Sequence, residues 1–597
     1  MFQYKKPDNL VDLFENAIEK YPNNKLFGKK NKAKDGYDWV TYQEIGKKVD
    51  NLRGALAKLG LKKGEAVGII ANNRPEWAIS AFATYGCGGR FIPMYEAELE
   101  KVWAYIIKDS VIKFLFVSNK EVYEKVKNFP KTISTLEKIF IIDDDSENSM
   151  KALESLGEKN PSASIKPEPT DIAALIYTSG TTGDPKGVLL SHGNFTSNAQ
   201  AGRNLFPELD ENARSISILP WAHSYGQTAE LYNWFLFGGS IGFMEDVTTL
   251  VEDFSLVKPS FLIAVPRVFN KIYEGLWTKM NEKGGLAKSL FTMGVESAKR
   301  KRELEIQNKT CLINQAKLKI ADKIVFAKIR ELMGGKLKGA LTASAMMNVE
   351  IAQFFFDIGI PVYDAYGLSE TSPAVTMNCA AAYKLGSVGR PVENVKVVID
   401  KSVVEEGSKD GEIIVYGPNV MQGYHNKPEQ TKEVMTADGG FRTGDRGRLD
   451  EDNFLFITGR IKEQYKLENG KYVFPASLEE DIKLLPCVAN AMIYGEGRKY
   501  NVCLVVPDFA ALGQKIKELK ISDTLETVIH NKEIKKVIET EIVNHLKDKY
   551  GGYEIPKKFA YLTEDFTIEN GMLTQTMKPK RRVILAKYQK EIDALYD

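Results

Sequence analysis

Residues 177–192 read YTSGTTGDPKGVLLSH, and their types suit the binding of an anion. Gly180, Gly183 and Gly187 let the backbone turn tightly and bring amide N–H groups close to a ligand. Thr178, Ser179, Thr181 and Thr182 add hydroxyl donors, and Lys186 adds a mobile positive charge. Amides, hydroxyls and a lysine in one loop are what the oxygens of a triphosphate need. The helix-opening GxxxxGK[ST] form is absent, because Lys186 is followed by Gly187. A solvated Ser/Thr/Gly hairpin without a ligand is the competing reading.

Two further constellations fit a nucleotide. Residues 366–371, YGLSET, combine Tyr366, able to stack on a purine, with Gly367, a donor at Ser369 and a carboxylate at Glu370. Mg2+ prefers one or two carboxylates plus phosphate oxygens, so Glu370 is its candidate ligand, with Thr181 as a second. Residues 441–445, FRTGD, read as a turn in which the Asp445 carboxylate accepts from both ribose hydroxyls. A surface turn and a hairpin cap are the plain alternatives for these two segments.

The elements around these residues imply an α/β fold. Residues 172–176 and 188–192 read as buried strands, which makes the glycine loop a strand–loop–strand device. Upstream, helical spacing at 10–20, 41–59 and 76–85 alternates with apolar runs at 66–71, 90–93 and 114–117, the pattern of a largely parallel sheet. Residues 276–338 read as a helical excursion that includes the basic run Lys299-Arg300-Lys301-Arg302. That run reads either as a solvated face or as a dock for anionic lipid or a CoA phosphate. After residue 392 come short β runs, read as a smaller barrel-like subdomain. A small, mobile α+β domain is expected from there on, with the division drawn as 1–460 and 461–597.

Bulk properties exclude several classes. A chain of 597 residues exceeds one ordinary core. With 43% hydrophobic residues, 27% charged and a net charge of +2, it reads as a globular protein and not as a binder of nucleic acid. Five scattered cysteines without CxxC pairs point to reduced thiols in the cytoplasm, and five histidines make a zinc site improbable. The N-terminal residues lack a signal-peptide pattern, and no apolar run reaches the roughly 20 residues of a spanning helix. Membrane contact, at the inner face of a membrane, is therefore expected to be peripheral.

The glycine-loop string closely resembles the phosphate loop of the AMP-forming acyl-CoA synthetases, members of an adenylate-forming family with the luciferases and peptide-synthetase adenylation domains. The resemblance runs from about Trp39-Val40-Thr41-Tyr42 to Lys578. It implies ATP, Mg2+ and CoA as cofactor and co-substrates, and activation of a fatty acid through an acyl-adenylate. It places Asp445 on ribose and Arg460 on ribose or the α-phosphate. Lys462 falls at a hinge and Lys466 on the stretch facing CoA. Lys578, in LTQTMKPK, becomes the lysine that bridges substrate carboxylate and α-phosphate, and His223 lies beside the acyl carboxylate. Residues 258–269 and 321–335 resemble long-chain members; Trp221, Trp234, Phe235 and Phe237 are candidate walls of an acyl tunnel. The chain departs from the family at LTASA (341–345), usually glycine-rich, and at Ala365, usually glycine. Medium-chain or aryl synthetases, a ligase loading a carrier protein, and a catalytically dead nucleotide-binding scaffold are the rival readings.

Overall fold

The computed structural model describes residues 6–178, 185–404, 407–461, 463–518, 524–547, 549–574 and 578–597. They form two compact units. One comprises the chain to residue 398 with 414–442 and 451–455; the other comprises 399–413, 443–450 and 456–597.

The first unit is built on the alternation read from the sequence. Its six-stranded sheet runs Lys138–Ile141, Ile112–Val117, Ala66–Ile70, Arg90–Met94, Ile172–Thr178, Lys186–Ser191. The first five strands are parallel, and the last two pair antiparallel. Strands apolar on both faces must be covered on both. Ile70, Ile92, Leu115 and Val117 pack with Trp103 and Ile107 of the Glu100–Asp109 helix on one side. Each such fully buried side chain contributes about 1.5–3 kcal/mol. The Tyr42–Lys58 helix starts at a Thr41/Glu44 capping box and lies against Met150–Glu158. They approach so closely that a Cβ on Gly157 would stand 1.6 Å from the Asn51 carbonyl oxygen.

A five-stranded sheet follows: Phe261–Ala264, Gly339–Thr342, Val362–Gly367, Ala374–Met377, Arg390–Pro391. Between its first two strands the chain makes the expected helical excursion, as Pro266–Lys283, Gly285–Ile306, Leu312–Ala321 and Ala327–Leu332. A third sheet joins Tyr37–Thr41, Lys25–Lys30, Ser240–Phe243 and Arg214–Ser217.

The barrel-like reading of the short β runs is corrected. Lys396–Asp400, Gly411–Tyr416, Phe441–Leu449 and Leu455–Arg460 form an open four-stranded sheet whose first and last strands are not paired. Nor is 441–445 a turn: it is the start of the nine-residue strand Phe441–Leu449.

In the second unit, Val488–Tyr494, Val502–Pro507 and Lys558–Tyr561 make a three-stranded sheet. One apolar cluster, with Val505, Ile538 and Ile542, packs on one side; another, with Leu504, Met572 and Ile584, forms on the other. All five cysteines of the chain are unpaired. Among the described residues no helix is long and apolar enough to cross a membrane.

Candidate nucleotide and acyl site

The glycine loop joins two strands that pair antiparallel, Ile172–Thr178 and Lys186–Ser191. Ile176 faces Val188, Tyr177 faces Gly187 and Thr178 faces Lys186, so Thr178 and Lys186 stand at its mouth. Ser179, Gly180, Thr181, Thr182 and Gly183 lie outside the described residues. The hairpin base is held by three groups. The Tyr177 hydroxyl donates to Asp109 Oδ2 at 2.6 Å, His425 Nε2 meets the Asp109 carbonyl at 3.0 Å, and His425 N–H donates to the Gly187 carbonyl at 2.7 Å. A Cβ on Gly187 would lie 3.0 Å from Cζ of Tyr177 and 3.3 Å from His425 Cβ, so glycine lets these groups close together.

Residues 422–425 run along the outer edge of the hairpin. Leu189 N–H donates to the Gly423 carbonyl and Gln422 N–H to the Leu189 carbonyl, each at 2.9 Å. That pairing delivers Tyr424, which the sequence reading missed. Lys186 Nζ stands 5.0 Å from the Tyr424 ring centroid, and the Tyr424 hydroxyl donates to Glu370 Oε1 at 2.8 Å. Burial, reinforced by Glu370, raises the Tyr424 hydroxyl far above the ordinary tyrosine range, so it stays a donor. One tyrosine thus ties the loop lysine to the turn carboxylate.

The 366–371 turn is fixed from beneath. The Asn419 amide donates to the Thr371 and Ala374 carbonyls at 3.1 and 3.0 Å, and Asn198 exchanges two hydrogen bonds with the Ala374 backbone. Asn194, in the capping box that opens the His192–Leu205 helix, donates to the Pro418 and Val420 carbonyls. A Cβ on Gly367 would stand 1.9 Å from the Pro373 carbonyl oxygen, which leaves glycine as the residue that fits. Single asparagines in helices and loops carry no motif, so sequence reading had no signal for these three.

An apolar cavity of about 680 Å3, open solvent at its surface included, is lined in part by His223, Tyr366 and Gly367. Phe206, Leu209, Trp234, Phe237 and Phe261 line it, as do Leu341, Ala343, Ser344 and Ala365. Of the tunnel walls expected from sequence, Trp234 and Phe237 are present. Trp221 and Phe235 instead belong to an aromatic core with Phe27, Trp77 and Phe82. In that lining, His223 Nδ1 accepts from Tyr225 N–H at 3.1 Å, which puts a neutral ring's proton on Nε2. The neighbouring Ser224 hydroxyl is 3.3 Å from the Ser369 hydroxyl, joining the His223 loop to the 366–371 turn.

The His223 loop rests on a buried acid. Glu230 accepts from Ser217 at 2.6 Å, Trp221 Nε1 at 2.8 Å and Ser215 at 3.2 Å. Burial outweighs these donors and pushes its carboxyl up to about 7; burial likewise pushes Asp364 up to about 8. A carboxyl whose folded pKa is raised stabilises the protein fully below its unfolded pKa, and that stability is lost as pH rises through the folded value. From about pH 5 to about pH 8, Glu230 therefore costs on the order of 3 kcal/mol of stability. Glu230→Gln removes that dependence. The melting temperature of the variant relative to wild type, followed across this range, should rise steadily with pH; a constant difference would contradict the assignment.

The remaining residues belong to the second unit. Asp445 is buried and Arg460 Nε donates to its Oδ1 at 2.7 Å. Thr443 Oγ1 donates to the Ile413 carbonyl, and Gly444 N–H donates to Glu412 at 3.2 Å, which fixes the strand around Asp445. Lys466 is exposed on the short strand Tyr465–Lys466, its Nζ 4.7 Å from the Tyr472 ring centroid. Lys462 lies outside the described residues. Lys578 is exposed; Thr574 N–H donates to the Lys578 carbonyl and Lys578 N–H to Thr574 Oγ1. Three residues on, Arg581 opens a helix and, half-buried, pairs with the buried Glu479, whose other oxygen accepts from Ile493 N–H at 2.7 Å.

The first unit therefore brings together Thr178, Lys186, Glu370, Tyr366, Gly367, Ser369 and His223. The second pairs Asp445 with Arg460 and holds Lys466 and Lys578 on separate segments. Among the described residues no three His, Cys, Asp or Glu side chains gather into a metal cage. Glu370 offers one hard carboxylate, joined through Tyr424 to Lys186, and Mg2+ favours one or two carboxylates completed by phosphate oxygens.

The family profile described as AMP-binding enzyme matches residues 14–425, and that described as AMP-binding enzyme C-terminal domain matches 462–597. Fatty acyl-CoA synthetase A of Dictyostelium discoideum is 33% identical, the alignment covering 99% of this chain and 91% of that protein. Long chain acyl-CoA synthetase 3 of Arabidopsis thaliana is 31% identical, with 99% and 92% covered. Among solved structures, the adenylation domain of a carboxylate reductase from Mycobacterium chelonae superposes with a TM-score of 0.79 at 20% identity, covering 99% of this chain and 92% of that one. ATP-bound MatB from Rhodopseudomonas palustris gives 0.71 at 20% identity, with 98% and 99% covered. At such identity the structural likeness is one of fold.

Proposed function

The chain belongs to the AMP-binding enzyme family, and from that premise we propose that it converts long-chain fatty acids to their CoA thioesters through an acyl-adenylate. The observation that carries this reading is the junction at Tyr366 and Gly367. These residues line the apolar cavity, and three positions on Glu370 is bridged through Tyr424 to Lys186. A chain-like apolar substrate and a triphosphate would thus meet at one turn.

In the first half-reaction a carboxylate oxygen of the acid bonds to the α-phosphorus of ATP and the bond to pyrophosphate breaks. The nucleophile is already ionised, so the barrier is the meeting of two anions, and positioning and charge neutralisation lower it. Lys186 and the loop amides bind the triphosphate, Tyr366 stacks on adenine, and Ser369 donates to a phosphate oxygen. Asp445 and Arg460 hold the ribose side. Mg2+, held by Glu370, supplies further positive charge to the phosphates. His223 orients the acyl carboxylate, and Lys578 bridges it to the α-phosphate. In the second half-reaction the CoA sulfur bonds to the acyl carbon, the carbon–oxygen bond to AMP breaks, and the thiol proton is released. Residues 461–597 act as a mobile domain turning about Lys462, presenting Lys578 first and the Lys466 stretch second.

The test is acyl-CoA formation across saturated acids from acetate to stearate, with and without CoA. Turnover rising toward the long acids, with thioester as product, is expected. Adenylate without thioester, or a peak at short or aromatic acids, would overturn the substrate assignment.

Two further outcomes follow from the geometry. Ala229 lines the cavity, so Ala229→Phe fills part of it and should move the best substrate toward shorter acids, read as kcat/KM along the same series. An unchanged preference would separate the cavity from the acyl chain. Tyr424→Phe keeps the ring beside Lys186 and deletes only the donor to Glu370. A hydrogen bond to a charged group is worth about 1.5–3 kcal/mol, so kcat/KM for MgATP should fall about tenfold. Equal kinetics for the two proteins would remove Tyr424 from the site.

A further inference from the structure

Charge is unevenly shared along this chain. Residues 276–338 contain 15 Lys and Arg against six Asp and Glu, a net of +9 where the whole chain carries +2, so the remainder is acidic. Part of that charge is answered inside the fold. Arg300 pairs with Glu303 at 3.1 Å, Lys301 with Glu305 at 3.6 Å, and Arg302 with Asp357 of a neighbouring helix. The 299–302 run, the obvious basic patch in the sequence, is thus mostly engaged. Lys317, Lys319, Lys323 and Lys328 are exposed and take part in no ion pair among the described residues.

Apolar exposure concentrates at the same place. Among the described residues, four large apolar side chains are more than 70% exposed: Leu286 at 75%, Ile306 at 83%, Leu312 at 80% and Ile313 at 71%. Three of the four stand where the Gly285–Ile306 helix gives way to Leu312–Ala321. Ile313, Lys317, Ile320 and Ile324 then recur at intervals of four, three and four residues, which sets them on one helical face. Ile320 and Ile324 are exposed as well.

This face is open because the opposite one is firmly packed. The Asn314 amide donates to the Ser297 carbonyl at 2.8 Å. A Cβ on Gly294 would lie 2.8 Å from both Ala321 Cβ and Phe326 Cζ, so the two helices are in close contact there. Ala321, Val325 and Phe326 are buried. The helix pair therefore presents a well-supported outer surface of isoleucines, leucine and lysines.

We propose that residues 306–324 dock this protein on an anionic phospholipid bilayer. Ile306, Leu312 and Ile313 enter the headgroup–acyl boundary, while Lys309, Lys317, Lys319 and Lys323 lie among the lipid phosphates. A surface with lysines beside aliphatic side chains is what an interfacial helix needs. Residues 306–321 contain no acidic or aromatic residue and no arginine, so they lack the anchors that dominate protein–protein interfaces. Docking here would place the enzyme on the phase into which long-chain acids partition.

Full-length protein is sedimented with phosphatidylcholine vesicles with and without phosphatidylglycerol, at low and high salt, without substrates. Wild type should bind the phosphatidylglycerol vesicles at low salt and release in high salt. Ile306→Ser/Leu312→Ser/Ile313→Ser, and separately Lys317→Glu/Lys319→Glu/Lys323→Glu, should each lower the bound fraction at least tenfold. Arg300→Ala/Lys301→Ala should bind as wild type does. Acyl-CoA formation from a water-soluble decanoate solution should be the same for all four proteins, which shows that the folds are intact. Because binding is read without turnover, its failure is separate from failure of the enzymatic reading. The proposal is overturned if wild type ignores anionic vesicles, or if the apolar or lysine variants bind as wild type does. It is also overturned if these variants abolish self-association in sedimentation velocity while vesicles are not bound at all.

Discussion

Replacing Lys578 with methionine should lower acid-dependent pyrophosphate release by about 10²–10³-fold, the size of effect seen when one preorganised transition-state donor is removed. The same variant should transfer a preformed acyl-adenylate to CoA at a rate within a few-fold of wild type. The two expectations come from the proposed division of labour. Negative charge concentrates where the acyl oxygen meets the α-phosphorus, and only that step calls on Lys578. Methionine keeps the length and much of the apolar stem, so the two hydrogen bonds between Thr574 and Lys578 should persist. The Arg581–Glu479 pair that anchors the next helix is left untouched. Equal loss in both half-reactions would mean that Lys578 supports the domain's fold and does not act in adenylation.

Glu370→Gln should produce the second large effect. The substitution retains shape and can still accept from the Tyr424 hydroxyl, so the turn held by Asn419 and Asn198 should keep its form. What is lost is the negative charge that the metal ion requires. Pyrophosphate release should fall about 10²-fold, and the Mg2+ concentration for half-maximal rate should rise about tenfold, since a hydrogen-bonded charge is worth some 1.5–3 kcal/mol. Fatty-acid binding without nucleotide should not change. A Mg2+ dependence identical to wild type would exclude Glu370 as the ligand.

Much of this architecture could be read locally. Runs such as 66–70 and 172–176 are short, apolar and bounded by polar segments, and they form strands; the 276–338 stretch forms helices. The glycine loop sits between paired strands because apolar residues lie on both sides of it in sequence. Parts of the site made by distant segments were not legible. Tyr424 reaches Lys186 and Glu370 because 422–425 pairs along a hairpin edge, and no local pattern announces such pairing. Trp221 and Phe235 have the composition of cavity walls, yet Phe27 of one strand and Trp77 and Phe82 of one helix claim them for the core. Gly444 made 441–445 resemble a turn, but its positive φ is accommodated within a long strand. Within the 299–302 run, the pairing of Arg302 was not legible, since its partner Asp357 lies far along the chain.

The central claim is that the acid's carboxylate attacks the α-phosphorus of ATP. Its most direct test is the fate of oxygen from palmitate doubly labelled with heavy oxygen at the carboxylate, turned over with ATP, Mg2+ and CoA. One labelled oxygen should appear in AMP for each thioester formed, the other should stay in the acyl-CoA, and pyrophosphate should carry none. Label in a phosphate released from the β or γ position, or AMP free of label while thioester accumulates, would contradict the account.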